Sequence, residues 1–173
     1  MLKEKVYVKL SREDKKLASS HLLDILKLNY FYLPFDSFFI KVSFLEKKIY
    51  RIDFVKSFGK SESTFLSKIF KDFLKGKVSR KEMYGFLDFS QCSVFQKKIY
   101  KSMVSLKAPI TYKQLAEKNS SSPRAVGGAM SKNPFLLVVP CHLILSKKGL
   151  GGYSALNGTE IKKKLIDLEP FFW

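Results

Sequence analysis

The chain has 173 residues and a formal net charge of +17 at pH 7, and 46% of its residues are hydrophobic, with 16 Phe and 8 Tyr. This length and apolar content suffice for a buried core, which excludes an intrinsically disordered tail. The charge makes nucleic acid the first partner to consider and an anionic membrane surface the second. Surface lysines that only keep a Phe-rich fold soluble would give the same net charge. Composition alone therefore does not decide whether the chain has an anionic partner.

Targeting signals and metal-ligand patterns are missing from the sequence. The N-terminal residues lack the apolar stretch of a signal peptide, and no segment reaches the roughly 18–20 apolar residues of a membrane span. We therefore expect a cytoplasmic protein, nuclear if eukaryotic, that does not bind membranes. Cys92 and Cys141 form no Cys-x-x-Cys pair, and the two histidines are His21 and His142. We predict no disulfide, no metal and no cofactor, with Cys92 an inert buried thiol and His21 a surface residue.

The first half of the chain is expected to form a small α/β domain, over residues 1–88, that contains a β-hairpin. Alternating apolar residues predict a strand at Lys3–Lys9 and a hairpin of residues 37–45 and 49–55 around a Glu46-Lys47-Lys48 turn. Residues 61–75 have apolar side chains at helical spacing and end at Gly76. We find no chemistry in this half and interpret it as a scaffold.

The second half, residues 89–173, is expected to be rich in helix, so the fold class is α+β. Helices are predicted from Ser93 to Leu106, from a Thr111 cap through Asn119, and from a cap at Ser121 or Ser122 followed by Pro123. Helix, short turn and helix in a basic chain indicate a helix-turn-helix, here of winged-helix type.

Two adjacent glycines interrupt the third of these helices. Gly127 and Gly128 each cost on the order of 1 kcal/mol relative to alanine in a helix interior. Such small residues allow another surface to approach the backbone closely. That surface could be a DNA groove or a packed neighbouring helix, and the helix alone does not decide between them.

The candidate reactive group follows an apolar run, residues 135–139, that we predict to be a strand. Pro140-Cys141-His142 stands at its end, and the glycine-rich segment 149–152 comes after it. A cysteine beside a histidine and a glycine-rich loop indicates an activated thiolate in a ligand pocket. The last predicted helix, residues 159–172, carries Lys162-Lys163-Lys164, which we assign to its solvated face.

Together these motifs resemble the O6-alkylguanine-DNA alkyltransferase family from about Phe95 to Glu169. The matching pieces occur in the family's order: Phe95-Gln96, Thr111-Tyr112, Leu115-Ala116, Arg124-Ala125-Val126-Gly127-Gly128-Ala129-Met130, Asn133-Pro134, Val139-Pro140-Cys141-His142, Gly149-Leu150-Gly151-Gly152-Tyr153-Ser154, Leu165-Ile166 and Glu169. The resemblance implies single-turnover transfer of an alkyl group from O6 of guanine, with O4 of thymine as an open alternative, to Cys141.

The resemblance also implies the roles of the catalytic residues. His142 takes the thiol proton through a water molecule, and Glu169 orients the imidazole, as in a triad. Asn133 ties the recognition helix to the active-site loop. Tyr112 donates its phenolic proton to the leaving guanine ring.

Pocket and DNA contacts follow from the same resemblance. Met130 and Tyr153 would form apolar walls, the backbone at Tyr153-Ser154 would donate to O6, and carbonyls near Cys141 and Ile144 would read the exocyclic amine. Arg124 would fill the place of a flipped nucleotide, with Ala125 and Gly127 letting the helix lie in the minor groove of double-stranded DNA. The expected phosphate contacts are Tyr112, Lys113, Asn119, Gln96 and Lys147, and we expect a monomer.

Three positions depart from the family pattern, and two other readings stay open. Leu143 stands where arginine is common, Ala155-Leu156 replace a glycine pair, and the turn before Thr111 is shortened to Ala108-Pro109. A cysteine hydrolase would also use a Cys-His pair, but it would leave the arginine-bearing helix unexplained. A binding-only relative would recognise lesions without transfer, although such proteins replace the reactive cysteine.

Overall fold

A three-stranded antiparallel sheet comes first in the computed structural model, which describes residues 27–169. Its strands are β1 (Asn29–Phe35), β2 (Phe38–Leu45) and β3 (Lys48–Val55), in the order β1-β2-β3. The predicted hairpin is confirmed, with Glu46 in the left-handed region of its turn at φ 52°. Strand β1 was not predicted, and the expectations for Lys3–Lys9 and His21 lie outside the described residues.

Helix α1 (Phe65–Leu74) covers the apolar side of this sheet. It begins later than the predicted Ser61 because Thr64 caps it, with the Thr64 side chain and Ser67 forming a reciprocal capping box. Phe70 is fully buried and packs edge-on against Phe31 of β1, with ring centroids 5.9 Å apart. This contact fixes the helix to the sheet.

A short helix that the sequence did not predict, α2 (Arg80–Tyr84), follows. Ser79 caps it, and the Glu82 carboxylate accepts a hydrogen bond from the Ser79 backbone amide. Five residues are too few for a helical hydrophobic period to be detected. The helix brings Arg80, 2% exposed, into the interior.

The next three helices agree with the sequence predictions and are α3 (Val94–Met103), α4 (Tyr112–Lys118) and α5 (Pro123–Ser131). Each begins after a hydroxyl cap whose oxygen accepts a backbone N–H, at Ser93, Thr111 and Ser122. Just before α4, the short strand β4 (Ile110–Thr111) pairs in parallel with β5 (Ile144–Leu145). No helix among residues 27–169 is long and apolar enough to cross a membrane.

The apolar run before the cysteine is not a strand, which corrects the prediction. Only Phe135 pairs, through a single bridge to Ile52 of β3, and the following residues form turns. Leu137 adopts φ 71°, which is unusual for a non-glycine residue. All five side chains are buried, so the run resembles a core strand in sequence although only its first residue pairs with a strand. Cys141–Leu143 then form one turn of 3-10 helix.

Helix α6 (Gly158–Leu168) closes the described chain and corrects a second prediction. Lys162 is fully buried, whereas Lys163 is exposed. The Lys162 ammonium donates to the carbonyls of Ile144, at 2.7 Å, and of Leu150 and Gly152. A cation with this many backbone acceptors can be buried, and the lysine holds the glycine-rich loop against α6.

Both halves of the chain share one apolar core. The Ile52 amide donates to the Pro134 carbonyl at 2.8 Å, next to the Ile52–Phe135 bridge. Phe135 is fully buried and its ring contacts Phe89 and Tyr100. The segment that leads to Cys141 is therefore packed between the sheet and the helices.

We predict that Lys162→Met loosens the glycine-rich loop because three carbonyls lose their donor. The free energy of unfolding should fall by about 1–3 kcal/mol, and backbone amides of residues 149–153 should exchange hydrogen faster. Urea denaturation and hydrogen exchange measure the two effects. Lys163→Met, which removes an exposed lysine from the same helix, should change stability by less than about 0.5 kcal/mol. Equal effects of the two substitutions would contradict the role of the buried ammonium.

Candidate active site

Cys141 lies on the wall of a cavity of about 360 Å³. The side chain is only 6% exposed, and its Sγ is 3.8 Å from the Tyr153 hydroxyl. The structure thus brings together several of the predicted site residues around the thiol. The lining residues are Tyr112, Gly127, Met130, Ser131, Cys141, Gly152, Tyr153 and Ser154.

The resting sulfur is a thiol, which differs from the anionic sulfur that the sequence led us to expect. Burial raises the pKa of Cys141, and the contacts with Asn133 and Tyr153 and the charge of Lys162 only partly oppose it. Deprotonation of Cys141 therefore requires a base nearby, because the surroundings alone do not produce a thiolate at neutral pH.

His142 is the base closest in sequence, and its ring is completely buried. Its Nε2 lies 2.8 Å from Oε2 of Glu169, while Nδ1 has no hydrogen-bond partner among the described residues. Burial lowers the pKa of His142, so the imidazole is neutral at pH 7. Burial alone would raise the pKa of Glu169, but the hydrogen bonds from His142 and Arg80 and the Arg80 charge bring it below its usual value.

These ionisation states fix the tautomer of the imidazole. A carboxylate only accepts hydrogen bonds, so Nε2 carries the proton and donates it to Glu169. Nδ1 then keeps a lone pair that is able to accept a proton. The pair has the chemistry of a general base oriented by a carboxylate.

Arg80 is the site residue that the sequence analysis missed. Its Nη1 and Nη2 donate to the two carboxylate oxygens of Glu169, the second at 2.7 Å, and its Nε donates to the Leu137 carbonyl at 3.0 Å. The Ser79-x-x-Glu82 capping pattern could have indicated a helix start here. Nothing local in the sequence indicates that this arginine points inward.

Asn133 links the end of α5 to the segment that leads to the cysteine. Its Nδ2 donates to the Val139 carbonyl at 3.1 Å, and its Oδ1 accepts from the Phe135 amide at 3.0 Å. The asparagine thereby closes the irregular segment before Pro140 into a loop. Because Asn133 directly follows the C-cap of α5, a displacement of Cys141 would be transmitted to that helix.

A second cavity, of about 630 Å³, lies beside the first and shares Tyr112 and Gly127 with it. Arg124, Lys113 and Lys147 line it and are exposed, so the predicted basic residues do meet at one surface. The remaining lining residues are Thr111, Pro123 and Ser146. The thiol cavity therefore opens next to a basic surface.

The glycines of α5 lie where the described residues leave room for a side chain. A Cβ added to Gly128 would meet no atom within 4 Å, and one added to Gly127 would only touch the Tyr112 ring at 4.0 Å. No helix within the described residues packs closely enough to require them. Of the two alternatives left by the sequence, the structure therefore favours an external partner.

Three predicted contact residues are occupied elsewhere. Asn119 is buried, with its amide donating to Ser102 and to the Leu115 carbonyl at 2.8 Å. Gln96 belongs to the α3 capping box and donates to Tyr100. The Ile144 carbonyl, expected to read a guanine amine, accepts from Lys162. The structure thus places none of these three groups on the walls of the two cavities, and no cluster of metal-ligating residues occurs among residues 27–169.

Comparison with known proteins agrees with this geometry. Residues 94–171 match the family described as 6-O-methylguanine DNA methyltransferase, DNA binding domain. A methylated-DNA--protein-cysteine methyltransferase of Metallosphaera sedula is 49% identical over 77 residues, covering 43% of this chain and 48% of that protein. One of Thermococcus kodakarensis is 40% identical over 110 residues, covering 62% of both chains. The matches thus span about half the length of such relatives.

Solved structures extend the similarity to most of the chain. The O6-methylguanine-DNA methyltransferase of Pyrococcus kodakaraensis strain KOD1 has a TM-score of 0.68 and 27% identity, over 82% of this chain and 98% of that chain. Mycobacterium tuberculosis OGT in complex with DNA has a TM-score of 0.63 and 19% identity, over 82% and 93% of the two chains, and shows the shared fold. Residues 94–171 therefore form a DNA-binding domain of the O6-methylguanine-DNA methyltransferase type, and most of the chain shares the fold of these methyltransferases.

Proposed function

We propose that this protein repairs DNA by direct reversal, moving an alkyl group from O6 of guanine to Sγ of its own Cys141. The observation that carries the proposal is the position of the thiol, which lines a cavity with the buried His142–Glu169 pair next to it in the chain. The cavity volume of about 360 Å³ falls in the range of small-ligand pockets. The adjoining basic surface supplies the contact with DNA.

Proton transfer to His142 activates the thiol. The Cys141 proton passes to Nδ1, through a water molecule as the family resemblance implies, and Glu169 stabilises the imidazolium that forms. The sulfur then attacks the alkyl carbon. The S–C bond forms as the C–O6 bond breaks, and the electron pair leaves with the guanine.

The leaving guanine takes a proton from Tyr112. Burial raises the pKa of Tyr112, so its phenol is protonated and can donate to the ring as negative charge develops there. Tyr153 and Met130 line the cavity as apolar walls, and the backbone at Tyr153-Ser154 would donate to O6, as the family resemblance implies. The guanine then leaves as a neutral base, and transfer of the proton from the His142 imidazolium through solvent to the Tyr112 phenolate returns both side chains to their neutral forms.

Access to the cavity requires that the damaged nucleotide leave the duplex. Arg124, exposed near the start of α5, would fill the vacated position, and Ala125, Gly127 and Gly128 would let α5 approach the minor groove. Lys113 and Lys147 would contact phosphates. In this proposal residues 89–173 form the winged-helix DNA-binding and transfer domain of a monomer, and residues 1–88 are its scaffold.

We expect one transfer per molecule, because a thioether has no regeneration step in this site. After incubation with duplex DNA containing O6-methylguanine, intact-protein mass spectrometry should show a single added methyl group on Cys141. Cys141→Ser should bind the duplex but accept no methyl group, and Cys92→Ser should react like the unmodified chain. Repeated turnover of an ester or a peptide would instead indicate a cysteine hydrolase, and lesion binding without mass change a binding-only protein.

Arg124→Ala should separate nucleotide flipping from chemistry. Transfer from duplex DNA should slow by about tenfold or more, since flipping costs a few kcal/mol, while transfer from free O6-benzylguanine should be unchanged. Single-turnover rates with the two substrates measure the difference. Lys132→Ala removes the same charge from the other end of α5 and should leave both rates near wild type. An equal loss on both substrates would contradict the role of Arg124.

A further inference from the structure

A buried arginine lies behind the His142–Glu169 pair. Arg80 is 2% exposed and comes from α2, outside the residues 94–171 that match the family's DNA-binding domain. It donates to both carboxylate oxygens of Glu169, one of which also accepts from His142. The bidentate geometry is the strongest way in which a guanidinium holds a carboxylate.

We propose that Arg80 is a positioning residue for alkyl transfer: it holds Glu169 as a carboxylate and thereby keeps Nδ1 of His142 free to accept the Cys141 proton. The inference rests on the proposed function and adds a residue to its machinery. Without the guanidinium, Glu169 would be a buried carboxyl group with a neutral histidine as its polar partner. Desolvation would then favour the protonated form of Glu169.

The consequence of a protonated Glu169 is a change of tautomer. A carboxylic acid donates its proton, so it would donate to Nε2 of His142. The ring proton would then move to Nδ1, which could no longer accept a proton from the thiol. The guanidinium of Arg80 thus selects the tautomer that the reaction needs.

The charge of Arg80 also acts on the imidazole directly. The charged or titratable groups that face His142 are Glu169, Arg80 and Lys162, and the two cations oppose formation of the imidazolium. Loss of the Arg80 charge would raise the pKa of His142 as well as that of Glu169. With a higher pKa, His142 becomes protonated at a higher pH, and so does Glu169. Either protonation stops His142 from accepting the thiol proton, so both changes move the acidic limit of reactivity to higher pH.

Arg80 also holds the chain that leads to the nucleophile. Its Nε donates to the carbonyl of Leu137, whose backbone lies in the left-handed region at φ 71°. This conformation is unfavourable for a non-glycine residue, so it needs support from its surroundings. One side chain therefore aligns the carboxylate and the segment before Pro140-Cys141.

The test compares pH profiles of Cys141 reactivity in a Cys92→Ser background. Iodoacetamide and O6-benzylguanine are the two probes, with rates followed by intact mass from mildly acidic to alkaline pH. We expect Arg80→Gln and Arg80→Met to slow both reactions by about tenfold at neutral pH and to move the acidic limb upward by about one pH unit. Arg80→Lys, which keeps the charge, should keep the acidic limb near wild type. Arg51→Gln, which removes an exposed arginine of β3, is the control.

A purely structural arginine gives a different result. Arg80→Gln would then lower the melting temperature, but its folded fraction would show the wild-type pH profile, which overturns the proposal. Should Arg80→Met fail to fold, the pH profile of Arg80→Gln, which retains an amide donor, is compared with that of the wild-type chain instead. If the iodoacetamide profiles shift as expected but no variant or wild-type chain reacts with O6-benzylguanine, the proposed function fails while the role of Arg80 in thiol activation stands.

Discussion

The carboxylate of Glu169 is the point on which the site depends, because two partners share it inside the protein. Arg80 and His142 both donate to it, and all three side chains are buried. A buried carboxylate without such partners would be strongly destabilising or would take up a proton. The same three side chains connect α2, the end of α6 and the 3-10 turn that bears Cys141. The contact therefore sets the protonation of His142 and also holds these three elements together.

Buried polar side chains, and not a sheet, hold the reactive segment in place. Asn133 binds the carbonyl of Val139, Arg80 that of Leu137, and Lys162 three carbonyls around the glycine-rich loop. These side chains supply donors to backbone carbonyls in a segment without regular secondary structure, where an unpaired carbonyl would be costly. An irregular backbone therefore becomes rigid enough to aim a thiol, and a thiol with a raised pKa becomes reactive only when a correctly oriented base is present.

Local chemistry explains which parts of this structure could be read from sequence. Ser93, Thr111 and Ser122 cap their helices as expected, because a cap depends on residues three positions apart. The hairpin around Glu46 followed from alternation and a polar turn. The apolar run at 135–139 was wrongly predicted as a strand, because burial on all sides leaves no period that distinguishes a strand from a packed turn.

Long-range contacts explain the rest. Arg80 and Lys162 are buried through partners 89 and 18 residues away, and nothing in the neighbouring sequence shows their inward direction. Lysine runs usually face solvent, so Lys162 was assigned to the wrong face. Cys141 and His142 were identified from their motif and Glu169 through the family resemblance, yet the thiol form of Cys141 depends on a degree of burial that only the structure reveals.

The position of the proton on the His142 ring shows whether Glu169 directs proton transfer from Cys141. In a ¹⁵N-histidine-labelled His21→Gln chain, NMR at neutral pH observes the two nitrogens of this single imidazole. We predict a neutral ring with its proton on Nε2, hydrogen-bonded to Glu169, and an unprotonated Nδ1. A proton on Nδ1 in the resting protein would contradict this prediction, because that nitrogen could not receive the proton of the thiol.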